Sequence, residues 1–192
     1  MGTGAGLRIL SLSCAFSEDP VIRILAPLAL SLPLFAALPT SQEALALAFP
    51  GARLVRREHI LSEAQAERIK ALSQVDLAGR WFVAYEAWLD GRLAGVGLFD
   101  THRVRTLNET LLVAISPEGR ILRVEVVAFR EPTEYMAKEV WIRQFEGKGL
   151  DPQLSLKGAI HPLSGATLTA HAMTDAARRC LALHRVLYGE AK

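Results

Sequence analysis

Two turn signals between β-rich runs constrain this chain more than any other feature. Arg80 to Trp88 is aromatic and β-rich, Asp90-Gly91 is a two-residue hairpin signal, and Arg92 to Phe99 returns along it. Glu109 to Ile115 and Ile121 to Phe129 repeat the arrangement around Pro117-Glu118-Gly119. Turns this short join only antiparallel neighbours, so the middle of the chain predicts an antiparallel sheet of hairpins. In the last run Ile121, Val124, Val126, Val127 and Phe129 are apolar, which predicts a central strand.

Helices are signalled on both sides. Thr40 with Glu43, and Ser62 with Gln65, have the spacing of capping boxes, predicting helices to about Phe49 and Leu72. Lys138 to Phe145 reads as a short helix with Trp141 and Phe145 on one face. Met173, Ala176, Cys180, Leu183 and Leu187 recur at three- and four-residue steps, predicting a helix with a core-facing stripe. Arg178, Arg179 and Arg185 are expected elsewhere on its surface. The fold class is α+β: an antiparallel sheet of hairpins flanked by helices, without βαβ spacing or a GxGxxG loop. The expected division is an N-terminal extension over 1–40, a helical lead-in over 41–79, and one domain over 80–192.

Hydrophobic content of 51% against 22% charged residues fits a globular domain, and a net charge of +2 argues against a nucleic-acid surface. Cys14 and Cys180 are the only cysteines and form no CxxC, which excludes zinc ribbons, attached haem and a disulfide framework. Cys180 falls in the apolar helical pattern and reads as a core residue. From Ile24 to Gln42 the chain carries no charge and is rich in Leu, Ala and Pro. This is expected to be a signal peptide cut near Ala37, or else a retained membrane anchor. Glu18 and Asp19 suit a leader poorly, which fits translation starting at Val21.

The stretch Ser164-Gly165-Ala166-Thr167-Leu168-Thr169 precedes the last helix and presents hydroxyls on a small-residue loop. Upstream stand Glu131-Pro132-Thr133-Glu134-Tyr135 and Trp141-Ile142-Arg143-Gln144-Phe145-Glu146-Gly147-Lys148. With the hairpin from Glu109 to Phe129, these segments resemble, in order, the FMN-binding domain family over about residues 80 to 188. That family includes the C subunit of the sodium-pumping NADH:quinone reductase and the G subunit of the Rnf complex. The resemblance implies FMN held through a phosphoester on Thr167, placed there by a flavin transferase that uses FAD and a divalent metal. It also implies an electron carrier at the outer face of the cytoplasmic membrane, working with a membrane redox complex or other electron-transfer proteins.

Gly165 and Ala166 would keep the hydroxyl uncrowded, and the helix start, Leu168 included, would seat the phosphate with its free N–H groups. Ser164 and Thr169 would add hydroxyl contacts. Glu131, with Pro132, reads equally as a flavin contact or a strand-end turn. Trp141 reads as core or as a cover for the flavin edge, and Lys148 as a solvated lysine or a phosphate partner. His102, Arg103 and Arg105 read as a solvated basic turn that could instead face the phosphate or a redox partner. Where the family carries an acid three places before the Ser/Thr, this chain has His161. No catalytic or metal-ligating set stands out: Ser164, His161, His171 and Asp175 lack the nucleophile elbow of a hydrolase. The alternative reading is a ligand- or partner-binding module of the same fold, sensing through unattached flavin or carrying none.

Overall fold

The computed structural model describes residues 37–189. The expected leader or anchor lies, up to residue 36, outside the described residues. Among the described residues no helix is long and apolar enough to cross a membrane.

Five strands follow one another as a meander: β1 Arg53–Ile60, β2 Trp81–Leu89, β3 Arg92–Arg103, β4 Asn108–Ile115 and β5 Ile121–Phe129. All neighbours are antiparallel, in the order β1-β2-β3-β4-β5. The helices are α1 Ser41–Ala48, α2 Glu63–Ser73, α3 Glu139–Ile142 and α4 Thr167–Tyr188. This is the α+β arrangement that the turn signals predicted. Both capping boxes form, with Thr40 and Ser62 as N-caps.

The sheet is covered on both faces. Leu98, Leu111, Val113 and Val124 join the main core with Met173, Ala176, Cys180 and Leu183 of α4 and Ile69 of α2. On the other face α1 lays Leu45 and Phe49 against Ala87, Leu112 and Ala114. That second contact depends on two small residues of β3. A Cβ on Gly95 would stand 2.6 Å from Phe49 Cε1 and 2.7 Å from the Ile115 carbonyl oxygen, and one on Gly97 would stand 2.8 Å from Leu45 Cδ2. Glycine in a strand interior here marks close approach of a neighbour.

Two sequence expectations are corrected, and one strand had not been expected. β5 is an edge strand rather than a central one. Its apolar character comes from packing on both faces, Val124 and Val126 in the main core and Val127 against the α1 cluster. Its free edge is partly paired, since Ile121 N donates to Lys148 O at 2.8 Å and Gly147 N donates to Ile121 O at 2.8 Å. Arg178 and Arg179 are not surface residues of α4: Arg178 is buried and donates to the Ser73, Leu154 and Gln74 oxygens. Strand β1 had no counterpart in the pattern, because its charged sequence RLVRREHI is mostly exposed and shows no apolar alternation. Charge on an exposed edge strand keeps it from pairing with other chains.

Gly95→Ala is expected to lower stability by about 1–3 kcal/mol, because the methyl meets backbone as well as the Phe49 ring. Gly79→Ala, with open space around it, is expected to be near neutral. Thermal unfolding of both variants checks this; equal midpoints would show that α1 does not depend on the close approach.

Candidate functional site

The loop before α4 is held at both ends and free in the middle. At its start the indole Nε1 of Trp141 donates to the His161 carbonyl at 2.8 Å, and the His161 amide donates to Gln144 Oε1 at 2.8 Å. Gln144 Nε2 in turn donates to the Trp141 carbonyl at 3.1 Å, so the three residues form a closed clamp. Trp141 is buried and meets Phe145 edge-on with centroids 5.6 Å apart. The Trp-x-x-Gln-Phe pattern is therefore core on one side and a main-chain clamp on the other. Because the clamp grips the backbone of residue 161, it does not depend on an acidic side chain there; the His161 side chain is exposed.

At the other end Thr169 is buried, and its hydroxyl donates to the Tyr135 carbonyl at 2.7 Å. That proton is committed to the fold and is not free for a ligand. Between the two anchors Ala166 N donates to Leu163 O at 3.1 Å, closing a turn in which Gly165 takes φ +80°. Only glycine adopts that backbone without strain. Thr167 then opens α4 with its side chain exposed, and Ala166 supplies no side-chain cap. The N–H groups of the first turn thus have no partner within the helix, and their partial positive charge faces outward.

This loop forms one wall of a cleft of about 270 Å³, through Gly165, Ala166, Thr167, Leu168 and Thr169. Val104, Arg105, Glu131 and Tyr135 form the facing wall. Glu131 acts chiefly on the chain itself: its Oε1 accepts from the amides of Arg105 at 3.1 Å, Thr106 at 2.6 Å and Leu107 at 2.7 Å. The Leu107 and Thr106 amides hold its carboxyl below the usual range. Pro132 opens the short 3-10 turn Thr133–Tyr135, which puts the Tyr135 ring under Arg105, with the guanidinium carbon 5.6 Å from the ring centroid.

The structure brings Glu131, which read equally as a flavin contact or a strand-end turn, to the small-residue loop in the company of Arg105 and Tyr135. Ser164, Pro132, Trp141 and Lys148 are not among the residues facing this cleft. Lys148 lines a separate depression with Glu118, Arg120 and Arg185. No hydrogen bond joins Ser164, His161, His171 and Asp175 to one another among the described residues.

The base of the β3–β4 loop is ionic. Arg179 Nε and Nη2 donate to Asp100 Oδ2 and Oδ1, both at 2.7 Å. His102 bridges Asp100 Oδ1 at 2.9 Å and Glu109 Oε2 at 3.1 Å. His102 is therefore not a solvated turn residue: β3 runs on to Arg103 and carries it inward, opposite Glu109 of β4. Burial pulls the His102 pKa down, but the bonds to Asp100 and Glu109 outweigh it and raise it to about 9. Burial likewise opposes the charge on Asp100, yet His102 and Arg179 hold it down at about 2. Burial pushes Glu109 up, and its Oε1 has no hydrogen-bond partner among the described residues. Sequence reasoning missed this cluster because its members lie on three elements. The alternation of Asp100 and His102 on one strand face was the available signal.

Residues 108–182 match the model of a family described as FMN-binding domain. No curated protein matches the chain. The matched span runs from β4 through most of α4 and takes in Glu131, the Trp141–Gln144 clamp and the loop at Thr167.

A His102 pKa raised above its ordinary 6.5 gives stability that is complete below that value and lost as the pH rises toward 9. His102→Asn is expected to lose about 3 kcal/mol near pH 6, where it leaves buried Glu109 uncompensated. The gap to wild type should narrow as the pH rises to 9. Denaturant unfolding across that range checks it; a gap independent of pH would mean that His102 is neutral in the fold.

Proposed function

We propose, on the premise that residues 108–182 form an FMN-binding domain, that this chain is an exported flavoprotein. It carries FMN through a phosphoester on Thr167 and passes electrons at the outer face of the cytoplasmic membrane. The match to the FMN-binding domain family supports FMN as the cofactor. The observation that carries the covalent reading is the setting of Thr167, an exposed hydroxyl on the first residue of an uncapped helix, on a loop fixed at both ends.

The residues present fit such a group. The free first-turn amides of α4 suit a phosphate, and Arg105 adds a cation on the facing wall. Leu168, Val104 and Tyr135 offer apolar surface beside them. In the transfer Thr167 Oγ1 loses its proton and bonds to the FMN phosphorus of FAD. The phosphoanhydride bond opens and AMP leaves. The flavin transferase would supply FAD and the divalent metal, so Thr167 is a tether and not a catalyst. Bound FMN supplies the redox chemistry, while the protein sets its position and potential.

Export is supported by the charge-free segment Ile24 to Gln42, which has the character of a signal peptide or anchor. Attachment needs room for the transferase to dock, and the exposure of Ser164, Gly165, Thr167 and Leu168 is consistent with that need. The carrier role follows from a cofactor fixed on the protein, which exchanges electrons without leaving. Its partners would be a membrane redox complex or other electron-transfer proteins.

In cells that contain a flavin transferase, Thr167→Val is expected to abolish the flavin fluorescence that survives denaturing electrophoresis, while Thr167→Ser retains part of it. Both variants should keep wild-type stability within about 0.5 kcal/mol, since the side chain is exposed. Fluorescence persisting on denatured Thr167→Val would place any covalent flavin elsewhere.

A further inference from the structure

We infer that Arg105 is the residue that meets the phosphate of the tethered cofactor, an inference that rests on the phosphoester reading above. Among the described residues facing the cleft, Arg105 is the only lysine or arginine. Lys148, which sequence reasoning offered for this role beside the basic turn of His102, Arg103 and Arg105, lines another depression.

Three features hold Arg105 in the cleft that Thr167 also lines. The first is its backbone. Glu131 gathers the amides of residues 105 to 107, and Val104 N donates to Leu107 O at 3.0 Å, so the loop is a closed turn. The second is the state of its guanidinium, which has no carboxylate partner among the described residues. Glu131, the acid nearest the loop, takes the Arg105 backbone amide instead. An arginine lying over an aromatic face keeps its in-plane N–H donors free for an anion. The third is Tyr135, which brackets both walls. Its ring carries the Arg105 guanidinium at 5.6 Å, and its carbonyl accepts the hydroxyl of Thr169, two residues beyond Thr167. The platform and the first turn of α4 are thus fixed to the same residue. A planar donor fork beside an immobilised phosphoester is the geometry in which arginine binds phosphate oxygens in a two-pronged way.

The test uses full-length protein loaded with flavin in a transferase-bearing host. Phosphorus NMR of the esterified phosphate is compared in wild type, Arg105→Gln, Arg105→Lys and the control Lys148→Gln. The resonance is expected to move in Arg105→Gln, to move less in Arg105→Lys, and to stay in place in Lys148→Gln. The initial rate of flavin transfer should fall roughly tenfold in Arg105→Gln, the size of one lost charged hydrogen bond. An unmoved resonance and an unchanged rate in Arg105→Gln would overturn the assignment, as would a Lys148→Gln effect of equal size. Wild type without flavin would instead remove the phosphoester reading itself, and this inference with it.

Discussion

The paired contact of Arg179 with Asp100 joins the two parts from which the site is made. Arg179 belongs to α4, whose first residue is Thr167, and Asp100 belongs to β3, whose continuation carries Arg105. His102 and Glu109 extend the contact to β4, so the helix, the strand and the base of the loop share one buried ionic unit. Such a unit adds little net stability, because desolvating four charges offsets most of their attraction. Its consequence is registry: sliding α4 along the sheet would strand buried charges, so the helix start and the facing loop keep a fixed relation. The Tyr135 bracket then sets the finer geometry at the cleft itself.

Rigidity in this site is concentrated where the proposed tethered cofactor would need it. The clamp of Trp141 and Gln144 fixes the backbone at His161, and Thr169 fixes the first turn of α4. Between them Gly165 and Thr167 stay exposed, so the proposed modifying enzyme would have access to a hydroxyl whose surroundings need not be rebuilt afterwards. Preorganised donors are worth more than mobile ones, because no ordering entropy remains to be lost when the ligand arrives. The same logic accounts for Glu131, whose charge is used to stiffen a loop and leaves the neighbouring arginine without a carboxylate partner among the described residues.

Much of this was legible in the sequence. The hairpin turns at Asp90-Gly91 and Pro117-Gly119, both capping boxes and the α4 stripe are local signals, and local physics decided them. The family match over residues 108–182 bears out the resemblance first read from the Glu131, Trp141 and Ser164–Thr169 segments. What stayed hidden is non-local. β1 forms because β2 offers it an edge, not because its own residues alternate. The apolar run of β5 reads as central until both of its covering layers are known. Arg179 and His102 read as surface cations because their partners come from other elements. At the cleft, the basic turn at Arg105 was offered as a phosphate contact, but the Tyr135 ring and carbonyl that join that turn to the loop meet it only in space, which no spacing along the chain encodes.

The central claim is that Thr167 carries the flavin, and peptide mass mapping tests it most directly. Protein is purified from the envelope fraction of a host with a flavin transferase, digested and mapped alongside Thr167→Val. The account predicts a mass increment of one esterified FMN on the peptide containing Thr167, absent from the variant. An unmodified Thr167 peptide from wild type, in a host where other substrates of the transferase are flavinylated, would contradict it.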